Sequence, residues 1–184
     1  NSGHSPHTIL EFVTNGTHYP ELFDSDFAFQ RLTITVSIDN VGDRFELERN
    51  GAQWSEVVDN VRRFADLASR HAFVRLGASV TVNIQNVLDL PEVVSTIRNL
   101  GIQDCFFNWL SQPAWLSIDS MTEQARTLAI SRLEGHAELA MVVERLRRAP
   151  VTDGREFCRE MRVLDQRRGQ RFDLTHKEIA QAMG

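Results

Sequence analysis

Only two cysteines, Cys105 and Cys158, occur in the 184 residues, far apart and without CxxC or CxxxCxxC spacing. A structural zinc site takes about four ligands and an iron–sulfur cluster about three or four thiolates, so these two build neither alone. Their scarcity points to a reducing compartment and incidental thiols rather than a disulfide framework. Lysine is nearly missing: Lys177 is the only one, and arginine supplies the remaining positive charge. Positive charge is not in excess either, since 20 basic residues stand against 25 acidic ones and the formal net charge is −5. That argues against broad electrostatic capture of nucleic acid or of an anionic membrane. No run approaches the ~20 apolar residues that span a bilayer, and no basic-then-apolar leader opens the chain. A cytoplasmic protein without nucleic-acid or membrane partners is the expectation.

What is present is an alternation of two periodicities. Residues 8–14 (TILEFVT), 31–38 (RLTITVSI), 74–83 (VRLGASVTVN) and 105–110 (CFFNWL) are β-rich, and the spacing predicts four strands. Between them, residues 20–29 read as a short helix or helical turn, and 40–53, with Gly42 and Gly51, as a loop. Trp54, Val57, Val58, Val61, Phe64, Ala65 and Ala68 recur at helical spacing and mark one long helix. Asp89 and Glu92 form a reciprocal capping pair for a further helix that ends at Gly101. From about Met121 onward the pattern is helical, near 121–134, 136–148, 154–167 and 176–182. Ser120 with Glu123, and Thr175 with Glu178, read as capping pairs there. Strand–helix alternation favours a parallel sheet, because parallel neighbours need crossovers. A doubly wound sheet and part of a (β/α) barrel both satisfy it.

In either architecture ligands bind outside the carboxyl ends of the strands. Small polar residues gather there: Thr14-Asn15-Gly16-Thr17, Ser37-Ile38-Asp39-Asn40, Asn83 to Asn86, and Asn108. Ser37 and Asp39, two apart on a strand end, point the same way and suit the hydroxyls of a ribose. On spacing alone the favoured reading is that Asp39 and Asn40 shape a turn and cap the following loop. The nucleophile elbow GxSxG and the phosphate-binding P-loop are both missing, and the histidines show no metal-ligand spacing.

The strings TNGT at 14–17, TVSIDNVGDRFELERNGAQWSEVVDNV at 35–61 and SVTVNIQNVLDLPEV at 79–93 follow one another in an order that resembles radical SAM enzymes. The group with SPASM or twitch extensions is the nearest in pattern, and LDQRRGQRFDLTHKEIA at 164–180 is similar to the C-terminal end of such proteins. The resemblance implies a partial (β/α) TIM-like barrel over 1–112, about four parallel strands, and an all-helical C-terminal extension over 113–184. It implies that Ser37 and Asp39 meet the ribose or amino-acid part of S-adenosylmethionine. Arg49 is implied to take its carboxylate, and Asn15 and Asn86 to line the mouth of the site. The cofactors implied for the full-length protein are S-adenosylmethionine and a [4Fe–4S] cluster, whose CxxxCxxC and Gly-Gly-Glu elements do not occur in this chain. The chain then corresponds to strands three to six of the barrel, preceded by a segment holding those motifs, and is expected to be inactive by itself. A substrate, peptide or small molecule, and an electron donor such as ferredoxin or flavodoxin complete the implied partners. The alternative is a cluster-free α/β module that binds a nucleotide or a protein. On the partial-barrel reading, the first strand is an exposed edge, Ile9, Leu10 and Phe12 face missing partners, and the Ser37/Asp39 end opens onto solvent.

Overall fold

The computed structural model describes residues 4–25 and 27–184. Four strands, β1 (His4–Thr14), β2 (Ala28–Ser37), β3 (Val74–Val82) and β4 (Asp104–Trp109), form one sheet in the order β1-β2-β3-β4. All three pairings are parallel, with Val13 beside Thr35, Thr35 beside Gly77 and Gly77 beside Asp104. Among the described residues β1 and β4 each pair on one side only.

The β2-to-β3 crossover holds α1 (Gly42–Glu48) and α2 (Trp54–Arg70), and the next holds α3 (Leu90–Asn99). The first crossover is lighter than its sequence suggests. Among the described residues a 3-10 turn, Glu21–Asp24, is the helical element there, and β2 begins at Ala28 instead of a helix running to 29. Phe23, Tyr19 and Phe27 are drawn into an aromatic cluster with Phe12 and Phe64, which fixes the segment without a regular helix.

Alternation along the strands separates two faces. Leu32, Ile34 and Val36 of β2 and Ala78, Val80 and Val82 of β3 are fully buried, in one cluster with Val57, Val61 and Phe64 of α2 and Val93 and Ile97 of α3. The opposite face carries Val13, Thr33, Thr35, Ser37, Ser79, Thr81, Phe106 and Asn108, all half-buried or exposed. Val13 is 70% exposed and Phe106 56%. Gly77 belongs to this face because a Cβ there would meet the Phe106 ring at 3.2 Å. One face is therefore sealed by helices and the other is not.

Downstream lie α4 (Glu123–Leu133), α5 (Ala140–Arg148), α6 (Arg155–Arg168), α7 (Phe172–Thr175) and α8 (Lys177–Met183). Their buried side chains, among them Leu133, Leu146, Met161 and Met183, join the same hydrophobic cluster as the sheet. The helices stand near their expected places, but their caps differ. Thr122, not Ser120, caps α4 by accepting the Ala125 N–H at 3.1 Å. Ser120 donates instead to the Ala114 carbonyl. Asp89 makes no cap bond to α3, and Thr175 and Glu178 make none at α8. Among the described residues no helix is long and apolar enough to cross a membrane.

Candidate functional site at the carboxyl ends of β2 and β3

The ladder between β2 and β3 ends at Ser37 and Ser79, and the Asp39 side chain carries the pairing one step further. Its Oδ1 accepts the Thr81 N–H at 2.7 Å, so a carboxylate replaces a backbone carbonyl. Its Oδ2 accepts from Arg49 Nη2, and the carboxylate is only 15% exposed. Arg49 follows the last residue of α1 and leans over Phe45, its Nε buried without a partner. Arg49 thus covers the Asp39 carboxylate, while Ser37 stays half-buried on the helix-free face.

Asn86 ties the two strand ends together. It is fully buried, and its Nδ2 donates to the carbonyls of Asp39 at 3.0 Å and Thr81 at 2.9 Å. Its Oδ1 accepts the Asn83 N–H, which folds the 83–86 turn. Ser37 lies half-buried on the same face as Asp39. Four of the five candidates therefore sit at one end of two adjacent strands. Asn15 does not join them: its Oδ1 accepts from the Thr17 N–H and hydroxyl in an exposed turn after β1. Farther out on the open face, Asn108 donates to Ser79 Oγ at 2.7 Å.

Behind Asp39 a second polar layer is buried. Asn40 Nδ2 donates to Glu48 Oε1 at 2.7 Å and to Asp89 Oδ2 at 3.0 Å. Burial pushes the Glu48 carboxyl up from its usual range, opposed by His176 and Asn40. Burial likewise raises Asp89, opposed by Asn40 and by the Arg44 guanidinium 3.3 Å away. His176 Nε2 stands 3.7 Å from Glu48 Oε1. A cleft of about 490 Å³ opens beside this layer, between Arg44 and Asp89 on one wall and His176 and Lys177 on the other. Sequence reading assigned no site role to Asn40, Glu48, Asp89 or His176. Asn40 stood within the polar strand end Ser37-Ile38-Asp39-Asn40 and Glu48 beside Arg49, and those were the available signals.

The residues present suit S-adenosylmethionine in one respect: the orphaned Arg49 Nε is a buried donor of the kind a carboxylate satisfies. They do not suit an iron–sulfur cluster. Burial pushes the Cys105 thiol up to about 11, away from the thiolate a metal needs, and Cys158 lies far along the chain in α6. Among the described residues no three His, Cys, Asp or Glu side chains gather as a metal site. Set against known protein families, curated proteins and solved structures, the chain matches none.

Proposed function

We propose that the four strands are consecutive units of a (β/α) barrel of the radical SAM class, and that the carboxyl ends of β2 and β3 hold S-adenosylmethionine. The observation that carries this reading is the meeting of Asp39 and Arg49, from the segment 35–61, with Asn86, from the segment 79–93, at one strand end. The sheet supports it too. Sequential parallel order with helices over a single face is the wall of a barrel, whereas a doubly wound sheet carries helices on both faces. Ser37 and Asp39 take the ribose hydroxyls, Arg49 takes the carboxylate, Asn86 holds Asp39 in register, and Asn15 lies at the rim. Held by these residues in the complete protein, S-adenosylmethionine would supply hydrogen-abstracting radical chemistry to an oxidoreductase-type enzyme. The cluster ligands, the substrate contacts and the docking of a ferredoxin- or flavodoxin-like donor belong to the complete barrel, and the chain alone is inactive.

The test is the coding sequence upstream of Asn1. A CxxxCxxC motif followed by Gly-Gly-Glu supports the proposal, and a start codon at or near Asn1 overturns it. A cluster-free module that binds a nucleotide or a protein is the second reading. It is favoured by the Asp39–Arg49 pair, which neutralises both charges within the chain. Calorimetric titration separates the two: S-adenosylmethionine binding that Asp39→Asn abolishes supports the first, and a preference for ATP or GMP the second.

A further inference from the structure

Arg49 is held from a direction the sheet does not provide. The residues on either side of it are gripped by the C-terminal helices. Arg168, the last residue of α6, donates from Nη1 to the Leu47 carbonyl at 3.3 Å, and Gln170 Nε2 donates to Asn50 Oδ1 at 3.3 Å. His176, between α7 and α8, brings its imidazole to the Glu48 carboxylate. Positions 47, 48 and 50 are therefore all engaged, and 49 lies among them.

The His176 contact is built rather than incidental. Its side chain is 1% exposed and that of Glu48 6%. The Phe172 ring lies flat on the imidazole, with centroids 4.7 Å apart and planes 17° apart, which fixes the ring's orientation. Neither ring nitrogen has a hydrogen-bond partner within the described residues, so the Glu48 carboxylate is the polar group nearest to satisfying one. A buried carboxylate without a polar neighbour is strongly unfavourable, and the imidazole is the group that the C-terminal helices bring to it. Helix α1 has only seven residues and cannot hold its own end, so what grips Glu48 sets where Arg49 points.

We infer that residues 168–176 form a clamp that positions Arg49 on Asp39, with His176 acting as a positioning residue through Glu48. This rests on the strand end being an S-adenosylmethionine site only for its consequence in binding; the clamp itself is a property of the chain. Two variants separate chemistry from packing. His176→Phe keeps the stack on Phe172 and loses the imidazole, and His176→Gln restores a polar side chain toward Glu48.

The first readout needs no ligand: rotation of the Arg49 guanidinium by ¹³C/¹⁵N exchange spectroscopy, assigned with Arg49→Lys. Rotation about tenfold faster in His176→Phe and close to wild type in His176→Gln is the expected result. Unchanged rotation in a folded His176→Phe protein overturns the clamp. If His176→Phe does not fold, the double variant Arg168→Ala/Gln170→Ala, at exposed positions, gives the same reading with the same two outcomes. The second readout is calorimetric titration with S-adenosylmethionine, weakened by about tenfold in His176→Phe and restored in His176→Gln. No binding by wild type, with guanidinium rotation altered as expected, removes the cofactor assignment and leaves the clamp. Equal binding by wild type and His176→Phe, with rotation altered as expected, overturns Arg49 as the carboxylate's partner and leaves the clamp.

Discussion

Replacing Asn86 by alanine strands two buried groups at once, the Asp39 carbonyl and the Asn83 N–H, while Thr81 keeps the Asn83 amide on its carbonyl. Each unsatisfied group costs about 1–3 kcal/mol, so Asn86→Ala is expected to destabilise by about 3 kcal/mol. Urea unfolding should show a lowered midpoint with an unchanged slope. Glu48 makes the opposite kind of statement. Its carboxyl is raised by burial, so the folded chain keeps a proton that the unfolded chain releases. The corresponding stability is full below the ordinary carboxylate range and is lost as pH rises toward the raised value. Glu48→Gln keeps the Asn40 contact and removes that slope, and melting temperatures between pH 4 and 8 should therefore be flatter in the variant. The place of Asp39 and Asn86 beyond strand ends was legible from the strand pattern, whereas Arg49 reaches Asp39 from the end of α1. His176 was not, because its partner Glu48 is far away in sequence and one buried histidine has no local periodicity. Asp89 was misread: next to Pro91 and Glu92 it has the form of a cap, but Asn40 and Arg44 claim its carboxylate.

Helix ends were harder to read than helix bodies. In α2 the apolar stripe Val57, Val61, Phe64 and Leu67 is buried as its spacing requires. In α1 only Phe45 and Leu47 are buried, too few for a period, and positive φ at Gly42 and Gly51 gives the segment the outline of a loop. At α4 the capping choice shifted by two residues because Thr122 serves two partners. Its hydroxyl accepts from the Ala125 N–H and donates to the Ala182 carbonyl at 2.6 Å, which binds α4 to α8. Thr122→Ala is expected to cost about 2 kcal/mol, the upper end for a lost N-cap, since a second bond goes with it. Ser120→Ala, on an exposed bond, should cost less than half as much in the same thermal melts.

Among the described residues the two edge strands pair on one side only, and Ile9 and Val13 stand 49% and 70% exposed on the helix-free face of β1. Leu10 and Phe12, expected to face missing partners with Ile9, turn inward instead, Phe12 lying 5.7 Å from Phe23. An apolar edge of this kind recruits other strands. The chain is expected to associate with rising concentration, and Ile9→Lys/Val13→Lys to remain monomeric at equal stability. Sedimentation velocity across a concentration series checks both, and a wild-type monomer at every concentration would show that the edge is protected. The alternation of strand and helix was legible from residue spacing; the bareness of one face was not, since threonine and serine serve equally well on either side of a sheet. Pairing each strand only with its neighbour in sequence has one more consequence. The sheet behaves as a one-dimensional stack, each unit's stability set by the units on either side. Opening then proceeds from the margins: amides of β1 and β4 should exchange with solvent first and those between β2 and β3 last, a gradient across the sheet rather than a single rate. The strand ends that hold Asp39 and Asn86 lie at the slow centre of that gradient, so the margins can be rebuilt, lengthened or joined to further strand–helix units without unzipping them.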